Sequence, residues 1–359
     1  MDARYSRQLA LPGFGASAQE ALSASRVLVI GAGGLGSTVI PALAAAGVGS
    51  IGVVDDDRVE LSNLHRQHIH GMKDIGHSKV ESAAATVAEL NPSVVVSPIQ
   101  RRLTAANARA VFADYDLVVD GSDNFPTRYL ANDAGVLAGI PVVWGAVSQY
   151  GGQVGVSAAH LNPGTTYRHL FPTPPPPGSV LSCEVGGVLP TTVGVIGSLM
   201  ATEAIKLITG IGTPLLGRVT IFDGLTGGFR QLDYAADPTA EPITGLIDYE
   251  AFCGYPSSLT PAELAARISS QETDDFILLD VREPWEADIA ALENAVLVPL
   301  GQLGDVEFDV TKPIVAYCHH GIRSETARQL LAARGYDVSH LAGGIDAWAR
   351  DLDPSMARY

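Results

Sequence analysis

The chain has 359 residues, of which 47% are hydrophobic and 17% are charged, and its formal net charge is −16. This length supports about two domains, and the acidic charge argues against nucleic acid, whose phosphates need a basic face. The longest apolar runs, near 38–48 and 193–201, are shorter than the ~20 residues of a membrane span. The first residues carry no apolar signal-peptide core, and three scattered cysteines are too few for a disulfide framework. We therefore expect a cytoplasmic protein that does not associate with membranes.

Strands and helices alternate regularly from residue 26 to about residue 147. Apolar, β-branched runs predict the strands and Ala-rich stretches predict the helices, and this alternation is typical of a parallel, doubly wound sheet. The predicted strands are 26–30, 50–55, 93–97, 115–120 and 140–147. The predicted helices are 34–46, 77–90, 104–113 and 124–138, with Thr104 and Asn124 as the N-caps of the last two.

The next segment closes the first domain with an antiparallel extension of the Rossmann-like, mainly parallel sheet. A further strand is predicted at 151–159, and a hairpin is predicted near 216–233. Residues 162–190 contain four consecutive prolines at 174–177, and such a run suits neither a helix nor a sheet. We therefore interpret the segment 162–190 as a mobile crossover loop. A helix is predicted at 193–209.

A second, smaller α/β domain is predicted after a polar and irregular linker. Thr260 and Glu263 form a capping box with Pro261 at the first helical position, which indicates the start of a helix. Helix and strand then alternate again, with strands at 276–280 and 312–317 and a helix at 324–334. The predicted boundaries are 1–234 for the first domain, 235–258 for the linker and 259–359 for the second domain.

A glycine loop follows the first strand and opens the first long helix. Gly31, Gly33 and Gly36 satisfy the G-x-G-x-x-G pattern, with Gly34 between them. Phosphate would sit on free backbone amides at the positive helix end, where only glycine lets the backbone approach. Asp55, at the end of the second strand, stands where an acid that binds ribose belongs. The loop alone fits a nicotinamide-dependent dehydrogenase equally well.

A set of cations favours ATP cleavage over dinucleotide binding. Cleavage at the α-phosphate needs positive charge against the developing pyrophosphate, whereas a dinucleotide pyrophosphate is usually satisfied by amides. Lys79 begins a predicted helix, an unfavourable place for a cation unless it serves a bound anion. Asp123, after the fourth strand, is a candidate magnesium ligand or alternatively a helix cap. The other candidates for phosphate binding are Arg7, Asn63, Arg66 and Gln67.

Several motifs in the first domain come in the order and spacing of one family. The chain resembles the bacterial ubiquitin-activating-like adenylyltransferases that serve molybdopterin synthase and thiamine biosynthesis. This resemblance implies a homodimer that uses ATP to adenylate the C-terminal Gly-Gly carboxylate of a small ubiquitin-fold sulfur-carrier protein. The motifs lie at residues 4–8, 31–36, 55–57, 61–67, 79–82 and 120–124.

The resemblance assigns a role to each matching residue. It implies that Asp55 holds the ribose, that Asp123 holds magnesium, and that Arg7 reaches the partner subunit's site. Close relatives also carry two Cys-x-x-Cys pairs that bind structural zinc. Because zinc prefers four thiolate or imidazole ligands, we expect no zinc at the matching positions. The residues implied to hold the phosphates are Arg7, Asn63, Arg66 and Lys79, and those that replace the zinc ligands are Thr166, His169, Glu250 and Cys253.

Cys318 opens a second anion-binding loop in the second domain. It follows a strand and precedes a long helix, so the helix dipole, loop amides and Arg323 favour a nucleophilic thiolate. The Cys-x-x-Gly-x-Arg loop resembles that of single-domain rhodaneses, which implies that Cys318 carries sulfur as a persulfide. Related phosphatases use one residue more, which makes a phosphatase the weaker interpretation. The segments 279–283 and 341–348 support the resemblance, whereas Ala287 and Asp288 stand where the family usually has Gly-His.

Cys183 follows the proline run, and the resemblance implies that it attacks the adenylate or resolves an acyl-disulfide. The predicted function is therefore carrier adenylation followed by sulfur transfer from a Cys318 persulfide, with thiosulfate or a cysteine desulfurase as sulfur donor. Two alternatives remain open. A nicotinamide-dependent oxidoreductase with a redox-active cysteine domain needs only the glycine loop and Asp55, and a scaffold would use the second domain only for docking.

Overall fold

The computed structural model describes residues 3–176, 179–180, 186–254, 258–269 and 276–359. The chain folds into two compact units, each with its own sheet. The first unit comprises Met1–Pro174 and Leu181–Tyr249, and the second comprises Pro175–Val180 and Glu250–Tyr359. This organisation confirms the predicted mixed α/β fold with a larger and a smaller sheet.

The first unit contains an eight-stranded sheet in the order β3-β2-β1-β4-β5-β6-β7-β8. Strands β1 to β5 run parallel, and β6, β7 and β8 continue the sheet in antiparallel fashion, as predicted. The strand order reverses between β1 and β4, and ligands of open α/β sheets bind at such a point. The strands are Arg26–Ile30, Ser50–Val54, Val95–Ile99, Leu117–Asp120, Val142–Ser148, Gly151–Ser157, Arg218–Asp223 and Gly228–Asp233.

Helices cover the first sheet and build the larger core. Gly34–Ala46 packs against Pro190–Thr209, which also contacts β5 and β6. Among the described residues, Pro190–Thr209 is the one helix long and apolar enough to cross a membrane by length and composition. It is longer than the apolar run 193–201, and its buried residues lie in the protein core. The other α-helices of this unit are Ser6–Leu9, Gly15–Ala24, Lys79–Leu90, Ala108–Phe112, Phe125–Ala138 and Tyr167–Leu170, and the helix Tyr249–Phe252 lies at the boundary of the two units.

The predicted helix at 104–113 is wrong at its start. The helix is Ala108–Phe112, and the carbonyl of Thr104 accepts hydrogen bonds from the amides of Asn107 and Ala108 at 3.1 and 2.9 Å. Asn107 Oδ1 in turn accepts from the Thr104 amide at 3.0 Å, so a side-chain-stabilised turn replaces the first helical turn. The Asn124 cap is confirmed, since its Oδ1 accepts from the Thr127 amide at 2.9 Å.

The second unit contains a five-stranded parallel sheet in the order β11-β10-β12-β13-β9. The predicted capping box is confirmed, because the Thr260 amide donates to Glu263 and the Glu263 amide donates to Thr260 Oγ1. The two-residue edge strands β9 and β11 were not predicted. The strands β9 to β13 are Ser258–Leu259, Ile277–Asp280, Val296–Leu297, Ile314–Tyr317 and Val338–Leu341, and the α-helices are Pro261–Ser269, Pro284–Ala287, Ile322–Ala333 and Gly344–Asp351.

The tight packing at Gly36 yields a stability prediction. A Cβ on Gly36 would lie 2.0 Å from the carbonyl oxygen of Gly31, so we expect Gly36→Ala to destabilise the protein by about 2 kcal/mol or more. The matched control is Gly194→Ala, where a Cβ meets no described atom within 4 Å and the gain in helix propensity is up to ~1 kcal/mol. Denaturant unfolding measures both, and equal loss in the two variants would contradict the prediction.

Candidate nucleotide site and cysteine loop

The backbone of the glycine loop, which follows β1, packs closely against the backbone at the ends of β2 and β4. Gly31 has φ +88°, and a Cβ there would lie 3.3 Å from the carbonyl oxygen of Gly121, directly after β4. The Gly31 amide donates to the carbonyl of Val54 at the end of β2 at 2.9 Å. A Cβ on Gly33 would lie 3.8 Å from Gln67 Nε2, and one on Gly34 would lie 3.8 Å from Arg66 Cγ. The structure therefore brings the predicted glycines together with Arg66 and Gln67.

Asp55 is half-buried beside this loop. Its Oδ2 accepts a hydrogen bond from the Ala32 amide at 2.7 Å, and its Oδ1 accepts from the Asp57 amide at 2.8 Å. Burial raises the pKa of Asp55 to about 6, although the nearby Lys79 ammonium acts in the opposite direction. Asp55 thus fixes the conformation of the glycine loop in addition to standing at the predicted ribose position.

Lys79 is the first residue of the helix Lys79–Leu90 and is only 5% exposed. Its Nζ donates to Asp57 Oδ2 at 2.7 Å. Burial alone would lower the pKa of Lys79, but the carboxylates of Asp55 and Asp57 outweigh it and the pKa is raised. Asp123 contributes to the same field. Lys79, which the sequence analysis assigned to a bound anion, is therefore paired with the carboxylate of Asp57. The carboxylates of Asp55, Asp57 and Asp123 all contribute to the electrostatic field at its ammonium group.

Gln67 Oε1 and Ser122 Oγ, beside the loop, are among the buried polar atoms that lack a hydrogen-bond partner within the described part of the chain. Asn63 is also buried, and its Oδ1 accepts from the Glu60 amide at 3.1 Å. Arg66 is half-buried, and its Nη1 donates to the Ser62 carbonyl at 3.2 Å. Because buried polar atoms in native proteins are usually paired, the two orphaned oxygens indicate that a polar ligand fits here.

Asp123 and Arg7 are both exposed. The alternative that Asp123 caps the following helix is wrong, because Asn124 supplies the cap. Arg7 lies in the short helix Ser6–Leu9.

Sequence reasoning assigned no role to Arg128 and His70, which support the site from behind. Arg128 donates to the Ser122 carbonyl at 2.8 Å and lies 3.9 Å from the buried Asp120, so it holds the loop that carries Asp123. Burial lowers the pKa of His70, and its Nε2 lies 2.9 Å from the Ala32 carbonyl. Since a carbonyl only accepts, this nitrogen carries the proton and ties the imidazole to the glycine loop. Their signal in the sequence is only their proximity to the quoted motifs.

Cys318 directly follows β12 and is 1% exposed. The loop ends at Gly321, which has φ +98° and whose amide donates to Cys318 Sγ at 3.1 Å. A turn at 343–344 supports the loop from behind, because the Ile345 amide donates to the Cys318 carbonyl at 2.9 Å. A Cβ on Gly344 would lie 2.4 Å from that carbonyl oxygen. The cysteine is thus held rigidly at the start of the helix Ile322–Ala333, as a nucleophile requires.

Arg323 forms a bidentate ion pair with Glu286, at 2.5 and 2.6 Å. The Arg323 guanidinium lowers the pKa of Glu286 to about 2. The pKa of Arg323 is raised chiefly by Glu286, with a smaller contribution from Cys318. The sequence assigned Arg323 to the thiolate and gave Glu286 no role. In the structure the guanidinium is oriented by Glu286, next to the loop it was predicted to serve.

Cys183, which is predicted to attack the adenylate or resolve an acyl-disulfide, lies outside the described residues. At the positions that match zinc ligands in relatives, His169 Nδ1 accepts from the Thr166 amide at 3.0 Å. Cys253 is buried directly after the helix Tyr249–Phe252, which contains Glu250. Arg168, in the same turn as His169, forms a bidentate pair with Asp133 at 2.8 and 2.6 Å. The absence of structural zinc stays a prediction.

Glu286 generates a pH-dependent prediction. Its pKa is about 2 in the folded protein against an ordinary 4.5, so its stabilising effect is complete above pH 4.5 and is lost as the pH falls towards 2. We expect Glu286→Gln to lower the free energy of unfolding by roughly 1–3 kcal/mol at neutral pH, and the deficit to shrink under acid. Urea titrations at several pH values test this. The exposed Glu307, paired with Arg334, provides the control Glu307→Gln, and a pH-independent deficit for Glu286→Gln would contradict the prediction.

Comparison with known proteins covers nearly the whole chain. The ThiF family model matches residues 5–242, and the rhodanese-like domain model matches residues 260–351. The chain is 45% identical over 374 residues to the "Probable adenylyltransferase/sulfurtransferase MoeZ" of Mycobacterium tuberculosis, covering 99% of this chain and 95% of the relative. It is 50% identical over 261 residues to the "Sulfur carrier protein adenylyltransferase" of Thermus thermophilus, covering 70% of this chain and 96% of the relative.

Solved structures support the fold of the first unit. The crystal structure of E. coli MccB with ATP matches with a TM-score of 0.58 at 21% identity, covering 67% of this chain and 74% of that chain. The predicted family is confirmed, whereas the oxidoreductase alternative receives no support. The chain belongs to the ThiF family and carries a rhodanese-like domain after its ThiF region.

Proposed function

We propose that the first unit uses ATP to adenylate the C-terminal Gly-Gly carboxylate of a ubiquitin-fold sulfur-carrier protein, and that Cys318 supplies sulfur for a thiocarboxylate. The observation that carries this proposal is the presence of both loops in one chain. One is a glycine cradle with orphaned polar oxygens, and the other is a cysteine whose sulfur accepts an amide hydrogen bond. The names of the relatives combine the same two activities.

The residues around the glycine loop suit a nucleotide triphosphate. The first amides of the helix Gly34–Ala46 have no partner within the helix and can face a phosphate, and Asp55 is proposed to bind the ribose. Gln67 Oε1 is available to accept a hydrogen bond from the ligand, and the Ser122 hydroxyl is available to donate or accept one. Asp123 would hold magnesium, which would supply positive charge against the negative charge that develops on the phosphates. The residues proposed to hold the phosphates are Arg7, Asn63, Arg66, Gln67 and Lys79.

Adenylation converts a poor electrophile into a reactive one. An oxygen of the carrier's carboxylate forms a bond to the α-phosphorus. The bond between that phosphorus and the oxygen joining the α- and β-phosphates breaks. Pyrophosphate leaves with the electron pair. The carboxylate is already ionised, so this step needs no general base, and orientation with charge stabilisation by Arg66 and Lys79 supplies the catalysis. In this step the Lys79 ammonium, which donates a hydrogen bond to Asp57 in the free protein, donates to a phosphate oxygen.

Sulfur transfer then takes place on the activated carbonyl. The terminal sulfur of a Cys318 persulfide attacks the acyl-adenylate, AMP leaves, and the carrier is joined to Cys318 through an acyl-disulfide. The Cys183 thiolate attacks the Cys318 sulfur, which releases the thiocarboxylate and leaves a Cys183–Cys318 disulfide for a thiol reductant to reopen. Thiosulfate or a cysteine desulfurase would load the persulfide. Arg323 and the helix dipole stabilise the sulfur anion in these steps.

The remaining proposals follow from the family. The enzyme acts as a cytoplasmic homodimer in which Arg7 reaches the partner subunit's nucleotide site. Its carrier serves molybdenum cofactor or thiamine biosynthesis, and a panel of Gly-Gly-ended carriers distinguishes these pathways. No further metal is proposed beyond the magnesium that accompanies ATP.

ATP–pyrophosphate exchange in the presence of a carrier tests the adenylation half. We expect Lys79→Met to lower the exchange rate ~100-fold or more, because it removes positive charge from the phosphates. Lys73→Met is the matched control, since Lys73 is 74% exposed and lies 3.9 Å from Glu89 at the surface. Full exchange by Lys79→Met, or none by the unaltered enzyme with any Gly-Gly-ended carrier, would sink the adenylation proposal.

Thiosulfate-to-cyanide sulfur transfer tests the other half. We expect Cys318→Ala to abolish this activity and to leave ATP–pyrophosphate exchange unchanged, because the two reactions use different loops. Cys253→Ala, which removes another buried thiol, should retain both activities. Persistent transfer by Cys318→Ala would favour a scaffold role for the second unit.

A further inference from the structure

The last residue of the sequence, Tyr359, packs onto the Cys318 loop within the second unit. Its ring stacks on the His319 imidazole, with 4.2 Å between ring centroids and 14° between planes. His319 directly follows Cys318, and its other face stacks on His320 at 3.9 Å. The ring of Tyr359 also meets Trp285 edge-on at 6.0 Å. Tyr359, which is 40 positions after His319 in the sequence, thus covers the His319 side chain.

The hydroxyl of Tyr359 joins two ion pairs. It accepts a hydrogen bond from Arg282 Nη1 at 2.7 Å and donates to Glu286 Oε1 at 3.2 Å. Arg282 is fully buried and is paired with Asp280 at 2.5 Å, and Glu286 is paired with Arg323. One phenol oxygen therefore links the buried Arg282–Asp280 pair to the pair that orients Arg323 beside Cys318.

A further ion pair, between Arg358 and Asp346, holds the segment that contains Tyr359 (residues 356–359, here called the tail) in this position. Arg358 donates to both carboxylate oxygens of Asp346, at 2.8 and 3.1 Å. The Asp346 amide donates to the His319 carbonyl at 3.0 Å, so the tail is tied to the same turn that supports the cysteine loop. Met356 packs against the smaller of the unit's apolar clusters. The stack on His319 is thus one of several contacts that place Tyr359.

The stack has an electrostatic consequence for the loop. Burial lowers the pKa of His319 to about 4, and His320 and Arg282 act in the same direction, whereas Asp346 and Glu286 oppose it. His319 is therefore neutral at physiological pH. Three arginines of this contact network, Arg282, Arg323 and Arg358, are each paired with a carboxylate.

We propose that Tyr359 is a positioning residue for sulfur transfer, whose hydroxyl holds the Glu286–Arg323 pair in place and whose ring keeps His319 shielded beside Cys318. This inference rests on the proposed function of Cys318 and deepens it. The hydroxyl acts on the orientation of Arg323, and the ring acts on the charge state of the residue next to the nucleophile. The two effects are separable, because phenylalanine retains the ring and loses only the hydroxyl.

The test compares Tyr359→Phe, Tyr359→Ala and Tyr336→Phe in the full chain. Tyr336 is the matched control, since it lies in the same unit and its hydroxyl is bonded to a different carboxylate, that of Glu307, at 2.6 Å. The readouts are the pH titration of the His319 imidazole by NMR, assigned with His319→Gln, and kcat and KM for thiosulfate-to-cyanide transfer from pH 5 to 8.

We expect His319 to keep its low pKa in Tyr359→Phe and Tyr336→Phe, and to titrate at a higher pH, closer to the ordinary 6.5, in Tyr359→Ala. Tyr359→Phe should lower kcat several-fold with an unchanged KM for thiosulfate, because Arg323 loses its fixed orientation. Only Tyr359→Ala should show a KM that falls as the pH drops from 7 to 5, since a protonated His319 attracts the dianion. Tyr336→Phe should leave kcat and KM unchanged.

Two outcomes would overturn the inference: an unshifted His319 titration in Tyr359→Ala, or a kcat in Tyr359→Phe equal to that of Tyr336→Phe. Both outcomes are compared with the unaltered enzyme, whose sulfur transfer must depend on Cys318. Loss of that dependence would instead refute the proposed function of the loop, and the His319 titration would still report whether Tyr359 shields the ring.

Discussion

Close approach of one backbone to another builds both candidate sites. In the first unit, a Cβ on Gly36 would lie 2.0 Å from the Gly31 carbonyl oxygen, so the helix begins directly against the loop that precedes it. In the second unit, a Cβ on Gly344 would lie 2.4 Å from the Cys318 carbonyl oxygen. Glycine alone permits these distances, and they leave amides free to face an anion at a helix start. Each loop is rigid because another segment fills the space behind it.

Carboxylates placed beside these loops decide how the cations are used. Lys79 is bonded to Asp57, and Arg323 is bonded to Glu286 at both of its terminal nitrogens. A buried or half-buried cation without a partner would be costly, so each pair stabilises the free protein and holds its side chain in one orientation. In the proposed reactions, Lys79 moves from one anion to another, whereas Arg323 acts from a fixed position. Ligand binding at Lys79 therefore competes with an existing bond, which favours polyanionic phosphate over a single weak anion.

The two units divide the chemistry between electrostatics and covalent sulfur. The first unit presents hydrogen-bonding groups and charge at the point where the strand order reverses, and contributes no nucleophile of its own within the described residues of that loop. The second unit presents a cysteine beside Arg323, which Glu286 holds in place, and next to His319, which burial keeps uncharged. An activated acyl group and a sulfur nucleophile are the complementary halves of a thiocarboxylate synthesis.

The sequence by itself determined the order of the longer strands and helices, the glycine motifs and the caps at Asn124 and Thr260, because periodicity and capping depend on residues within a few positions of one another. It failed at Thr104, where the side chain of Asn107 formed a competing turn. Only the tertiary structure decided the partners of the functional side chains. Asp57 meets Lys79 across 22 positions, Glu286 meets Arg323 across 37, and Tyr359 meets Arg282 across 77. Such pairs form because folding brings distant segments to one sheet edge, and no local pattern records which carboxylate or ring will arrive there.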